Sequence, residues 1–322
     1  MFLAFPAQFN QAFQPQAEIF LPPHGFTGLP QPAGDFPCFF CSRLLQKMAV
    51  NQKIQQHGLL YSLLFDDCLS RGKPLFSGGI RYLGGTLETY GNINVSDSLT
   101  AIKQLVYDEG KISVEELQHA LAQNFSGCDS LRSLLLEAPK YGNDLDSADE
   151  TAARFHNDLC SMIRGMAKRV GLHSYLPVLI NNSMNTTFGV TTGASADGRL
   201  ANTYMANANN PMSGMDKNGI TSMLNSLVKL DTKHHAGAVQ NMRFSKEMFA
   251  GLFEKTKTLL SCYFENGGAQ TMITVLGRGD LEEAMAHPEL YPNLIVRVGG
   301  FSARFVELSH DVQLELLNRT LY

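Results

Sequence analysis

The sequence predicts an α/β fold with a largely parallel sheet, open or closed into a barrel. Three observations carry this. Short β-favouring runs alternate with helical runs from Tyr175 onward, the order that feeds parallel strands through crossover helices. The helical runs carry start and stop signals at their ends. The chain of 322 residues is 44% hydrophobic and 17% charged, enough for a sizeable core in a soluble protein.

The elements follow in order. Residues 1–42 stand apart, with seven of the thirteen prolines, nine of the twenty phenylalanines and no Lys or Arg before Arg43. Pro22, Pro23, Pro30, Pro32 and Pro37 preclude a long helix there, so the segment is expected to be extended. SRLLQKMAVNQKIQQHGLLYSLLFDDCLSRG then reads as one or two helices. In SVEELQHALAQNF, Ser113 and Glu116 form a capping box at a helix start. ADETAARFHNDLCSMIRGMAKRVG is the clearest helix, with Phe155, Leu159, Met162, Met166 and Val170 as its apolar stripe and Gly171 as its stop. YLPVLINNSMNTTFG is an apolar run that turns polar, and GASADGR is a turn cluster. After the helix ITSMLNSLVKL come the strand AGAVQNMRF, the helix SKEMFAGLFEKTKTLLSCYFENGG, the strand QTMITVLG and the short helix DLEEAMAHPEL. VRVGGFSARFVEL reads as a strand and HDVQLELLNRT as a terminal helix.

Composition excludes several function classes. A net charge of −4 leaves no basic footprint for nucleic acid. No apolar run reaches the roughly 18 residues that a membrane span needs. The N-terminus lacks the positive charge of a secretory signal, and six scattered cysteines are no disulfide framework, so a reducing cytoplasm is expected. Cys38-Phe-Phe-Cys41 is a lone pair without a second pair or a nearby His. Adjacent His234 and His235 point to opposite faces of a strand, so no metal site is expected there. Asp66-Asp67 reads as a solvated helix face. Phosphate-loop, dinucleotide, zinc-protease and nucleophile-elbow motifs are missing from the sequence.

The informative feature is Gly299-Gly300, in the middle of an otherwise β-favouring run. An internal glycine pair marks a bulge, a tight hairpin tip or a place where something approaches the backbone closely.

Arg297-Val298-Gly299-Gly300-Phe301-Ser302-Ala303 resembles the R-V-x-G-[FY]-x-x signature of the glycyl radical enzymes, the family of pyruvate formate-lyase and of glycerol and diol dehydratases. Four further segments resemble family motifs in family order. Cys68-Leu69-Ser70-Arg71-Gly72-Lys73 with Gly78-Gly79 is similar to D-C-x-x-[RK]-G-K and its glycine turn. Ala138-Pro139-Lys140-Tyr141-Gly142-Asn143-Asp144 is similar to A-P-K-Y-G-N-D. Gly193-Ala194-Ser195-Ala196-Asp197-Gly198-Arg199 is similar to G-A-T-P-D-G-R, and Asp216-Lys217-Asn218-Gly219 to D-K-N-G. The resemblance covers residues 55–322.

The resemblance implies half of a ten-stranded α/β barrel with the glycine loop near the C-terminus. It implies an atypical segment 1–42, a pyruvate formate-lyase-like part 43–190 and a glycine-radical domain 191–322. By motif position Gly300 carries the radical. A separate radical S-adenosylmethionine activase with an iron–sulfur cluster installs it, and the chain binds no cofactor of its own. Oxygen destroys such a radical, which implies an anaerobic cytoplasm. In the family the glycine passes its radical to a cysteine in a loop such as G-C-V-E, and none of the six cysteines here has that context. Ile180, Asn181 and Asn182 fall where relatives line the substrate pocket, although Asn at a strand end also serves as a turn former. Arg319 falls near the family's active-site arginine, and an exposed terminal arginine is the alternative. The expected function is the radical-bearing part of a lyase or acyltransferase, diol dehydratase-like or a formate C-acetyltransferase, acting on a small molecule. Two alternatives stay open: a radical-donor subunit that docks on a cysteine-bearing chain, and an inactive remnant. A homodimer is a further possibility.

Overall fold

A computed structural model describes residues 58–169 and 171–322. The expectations for residues 1–42, for the helical run before Gly58, for Cys38-Cys41 and for Val170 lie outside the described residues.

Helices α1 (Leu59–Ser62) and α2 (Asp66–Arg71) are short and are separated by a turn. Strand β1 (Gly84–Glu88) follows. No strand is predicted here from sequence, because two glycines open it. Both permit close pairing: a Cβ on Gly84 would lie 2.8 Å from Ser174 Oγ, and one on Gly85 2.6 Å from Leu172 Cδ1. The chain then runs through α3 (Asn92–Ile102), α4 (Val114–Ala122), α5 (Asp129–Glu137) and α6 (Asp146–Gly165) before β2 (Ser174–Leu179). The capping box of α4 forms as predicted: Glu116 N–H donates to Ser113 Oγ at 3.1 Å, and Ser113 N–H to Glu116 Oε2 at 2.8 Å.

After α7 (Met184–Val190) and α8 (Gly219–Val228) come β3 (Gly237–Ala238) and β4 (Asn241–Phe244). Next are α9 (Lys246–Ala250), α10 (Phe253–Glu265), β5 (Met272–Val275) and α11 (Arg278–Ala286). The predicted helix from Ser245 is therefore two helices, broken around Gly251. The chain closes with β6 (Ile295–Arg297), β7 (Ser302–Arg304) and α12 (His310–Asn318).

The α/β class holds, and the strands as far as β5 pair in parallel, in two separate sheets. β1 pairs with β2 from Gly84↔Ser174 to Glu88↔Val178, β2 pairs with β3, and β4 pairs with β5. Val239 N–H donates to Leu179 O at 3.0 Å, and Met272 N–H to Gln240 O at 2.7 Å. One stretch of chain, residues 237–244, thus serves β2 first and β5 next. β6 and β7 are antiparallel. The run predicted as one strand is a hairpin, with the glycine pair at its tip.

Three apolar clusters support this frame. Tyr141, Met223, Leu227, Phe244 and Tyr263 pack together around β4. Leu105, Ile112, Leu117 and Leu135 join the helices after β1. Leu281, Val296, Val298, Phe305 and Leu316 seat the hairpin on α11 and α12. The buried face of α6 differs from the predicted stripe. It includes Ala152, His156, Cys160 and Ile163; of the predicted stripe, Met166 just past the helix is buried and Met162 is exposed. A His and a Cys occupy core positions there, so apolar periodicity alone selected the neighbouring face. Among the described residues no helix is long and apolar enough to cross a membrane.

Candidate functional site

The site is built around the tip of the β6–β7 hairpin. Val298 N–H donates to Phe301 O at 3.0 Å, which leaves Gly299 and Gly300 as the two connecting residues. Gly300 has φ +82°, a left-handed conformation that side chains disfavour. The tip presses on the end of β2. A Cβ on Gly300 would lie 2.7 Å from Ile180 Cγ2 and 3.1 Å from Asn182 Oδ1, and one on Gly299 would lie 2.6 Å from Asn182 O. Gly299 is buried and Gly300 is exposed. The glycines therefore mark both a turn and a close approach.

Beyond β2 the chain turns through two left-handed asparagines, Asn181 at φ +62° and Asn182 at φ +46°. Asn tolerates this conformation better than most residues. Asn181 is fully buried and committed to the scaffold. Its N–H donates to Glu88 Oε1 at 2.6 Å, its Nδ2 to Thr89 O at 2.9 Å, and its Oδ1 accepts from Ala208 N–H at 2.6 Å. It ties the carboxyl ends of β1 and β2 to the loop at residues 205–210. Those carboxyl ends are where open α/β sheets place their sites. Asn182, by contrast, is exposed beside Gly300.

An asparagine network unforeseen from sequence lies beneath. Asn207 Nδ2 donates to Asn185 Oδ1 at 3.1 Å, and Asn207 Oδ1 accepts from Asn241 Nδ2 at 2.9 Å. Asn210 and Asn241 are joined twice, by Asn210 Nδ2 to Asn241 O at 2.7 Å and by Asn241 N–H to Asn210 Oδ1 at 2.9 Å. The signal available was the run MANANNP, dense in residues that bond the backbone, between two of the motif segments.

Arg319 follows α12 and reaches the hairpin from the other side. Nη1 donates to Arg297 O at 3.2 Å and Nη2 to Val298 O at 2.6 Å. The same guanidinium grips Glu315 in bidentate fashion, Nε to Oε1 at 2.9 Å and Nη2 to Oε2 at 2.8 Å. Glu315 is only 2% exposed. The structure thus brings Ile180, Asn181, Asn182, Gly300 and Arg319 into one neighbourhood. It gives Asn181 and Arg319 protein partners.

No sulfur of a described residue lies within 4 Å of the Cβ position on Gly300. Cys68 packs against Gly79, and Cys160 sits 3.6 Å from His156 Nε2. Burial pushes the Cys160 thiol up to about 11, so it is un-ionised at neutral pH. Among the described residues no three His, Cys, Asp or Glu side chains are arranged to hold a metal. His234 closes a short 3-10 turn, Thr232–His234, so the pair does not lie on a strand as expected, and the two histidines have different partners. His235 lies buried 3.4 Å from His156, and burial, helped by the neighbouring histidines, pushes its pKa down to about 4. His234 contacts Asp231 and Arg164.

Chemically, the arrangement offers one exposed backbone carbon without a side chain, flanked by two amides, in a hairpin gripped from both sides. That suits chemistry at the backbone itself. Comparisons with known proteins give the family. Residues 40–189 match the family model described as pyruvate formate lyase-like, and residues 205–306 the one described as glycine radical. The chain is 34% identical to trans-4-hydroxy-L-proline dehydratase of Clostridioides difficile over 264 residues, covering 81% of this chain and 33% of that protein. It is 31% identical to isethionate sulfite-lyase of Bilophila wadsworthia, covering 81% and 32%. The glycerol-bound B12-independent glycerol dehydratase of Clostridium butyricum superposes with a TM-score of 0.76 at 34% identity, covering 81% and 34%. The chain spans about a third of the length of these relatives.

Proposed function

Because this chain belongs to the glycyl radical enzymes, we propose that Gly300 stores an unpaired electron for a lyase-type reaction on a small molecule. The observation that carries this reading is the geometry of Gly300, exposed at a hairpin tip and pressed on Ile180 and Asn182. Removal of one hydrogen atom from its Cα leaves the electron on a carbon between two amide groups. A planar carbon is open to glycine because no side chain crowds it. A separate radical S-adenosylmethionine activase would accept that hydrogen atom, and its iron–sulfur cluster would supply the one-electron chemistry. This chain supplies positioning and exclusion of competing reactions and holds no cofactor of its own.

In this reading residues 43–190 are the pyruvate formate-lyase-like part and residues 191–322 the glycine-radical domain. Together they form half of a ten-stranded barrel, the C-terminal portion of such an enzyme. Ile180 and Asn182 flank the radical carbon, Asn181 fixes their turn, and Arg319 holds the hairpin. The dehydratase and sulfite-lyase names among the relatives favour a lyase over a formate C-acetyltransferase. An anaerobic cytoplasm is the setting the chemistry requires.

A second reading rests on a specific observation. No sulfur of a described residue lies within 4 Å of the Cβ position on Gly300. The radical then passes to a cysteine on another chain, and this protein is the donor subunit. Anaerobic incubation with an activase, followed by electron paramagnetic resonance, tests the shared premise. A glycyl doublet that disappears in Gly300→Ala is expected, and no signal from the activated wild-type chain contradicts the reading.

A further inference from the structure

Arg319 grips the hairpin, yet it sits at the end of α12, where a helix terminus and a short tail ordinarily fray. Glu315 holds its guanidinium, and the tail that follows it is fixed by the motif segment Asp216-Lys217-Asn218-Gly219, which the proposed chemistry does not use. Asp216 is 8% exposed. Its Oδ1 accepts from Thr320 Oγ1 and its Oδ2 from Tyr322 OH. The tail is also laid along β4: Tyr322 N–H donates to Arg243 O at 3.0 Å, Ser245 N–H donates to Tyr322 O at 2.6 Å, and Arg243 bridges Leu321 in parallel. Asp216 touches neither glycine.

We propose that Asp216 is a positioning residue for Gly300, acting through the C-terminal tail. The connection is short and continuous. Asp216 pins Thr320; the peptide bond carries this to Arg319; Arg319 donates to Val298 O, and Gly299 and Gly300 follow directly. A cavity of ≈ 20 Å³ opens among Asp216, Arg243, Glu315, Arg319, Thr320 and Tyr322. Packing is therefore incomplete at this point, and discrete polar bonds set the position of the tail. An aspartate suits the task, since each oxygen accepts from a different hydroxyl. Hydrogen bonds to a charged acceptor are also the strong ones. Release of either hydroxyl frees Thr320 and Tyr322 to move, and Arg319 then loses the backbone geometry from which it reaches two carbonyls.

The inference deepens the radical reading but is testable without it. Hydrogen exchange with mass spectrometry on the full, unactivated chain reads the hairpin at residues 295–304. Asp216→Ala and the pair Thr320→Val with Tyr322→Phe, which keeps the ring that packs near Phe244, remove the contact from opposite ends. Both are expected to raise exchange in the hairpin by about tenfold, the scale of one lost charge-assisted hydrogen bond, and to leave β1 and β2 unchanged. Arg319→Ala, which also strands Glu315, is expected to raise hairpin exchange at least as far, and Asp216→Ala combined with Arg319→Ala to add nothing further in the hairpin. Hairpin exchange unchanged in the Thr320→Val/Tyr322→Phe chain, or additive effects in the combined variant, would overturn the proposal. After activation, the doublet of these variants is expected to be weaker than that of wild type. A wild-type chain that gives no doublet counts against the radical reading, while exchange still decides the role of Asp216.

Discussion

Gly300 and Arg319 answer to different physics. At Gly300 an alanine meets two costs at once: the left-handed backbone at φ +82° and a methyl 2.7 Å from Ile180 Cγ2. Gly300→Ala is expected to cost about 1 kcal/mol by urea unfolding, the usual penalty for a side chain forced into that region, and to abolish the radical. Arg319 and Glu315 form a pair with side-chain exposures of 11% and 2%. Removing one partner strands a buried charge, so Arg319→Ala is expected to lose about 3 kcal/mol. Arg319→Ala with Glu315→Ala is expected to lose less than the sum of the single variants. Gly300 was legible in the sequence because a motif of consecutive residues carries it. The neighbours of Arg319 were not, because its contacts join α12 to carbonyls of a different element. The roles of Asn207, Asn210 and Asn241 escaped for the same reason: their meaning lies in bonds across about thirty residues or more.

Among elements, legibility followed local signals. The α4 cap was readable because both halves of the reciprocal bond lie within four residues, and Ser113→Ala is expected to cost about 1 kcal/mol in urea unfolding. β1 was hidden by its opening glycines, and the core face of α6 by His156 and Cys160. That face has a consequence for pH. Burial holds His235 at about 4, well below an unfolded histidine near 6.5, so the unfolded chain binds the extra proton between those values. Stability therefore rises with pH from about 4 to about 6.5, by up to about 3 kcal/mol from this residue. Asp97 tilts the opposite way. Burial raises its carboxyl to about 8, so its contribution fades as pH rises from about 4 toward 8. The two separate in a variant. His235→Gln is expected to flatten the acid side of the urea-stability profile relative to wild type, and an unchanged acid slope contradicts the assignment.

Across the whole molecule, three features converge on the glycine hairpin. Ile180 and Asn182, just past β2, meet it from one side, Arg319 after α12 contacts its carbonyls, and an apolar cluster seats it on α11 and α12. The α/β class was legible from alternation, whereas the hairpin was read as a strand because its residues are β-favouring on both sides of the turn. What the frame lacks is a described thiol at the tip, in a chain spanning about a third of its relatives' length. The central claim is that Gly300 carries the electron. The most direct test is electron paramagnetic resonance of the anaerobically activated chain, prepared with ordinary glycine and with glycine deuterated at Cα. A doublet from the one remaining Cα hydrogen is predicted, collapsing to a single line on deuteration and absent in Gly300→Ala. A doublet that persists in Gly300→Ala, or one indifferent to deuteration, would contradict the account.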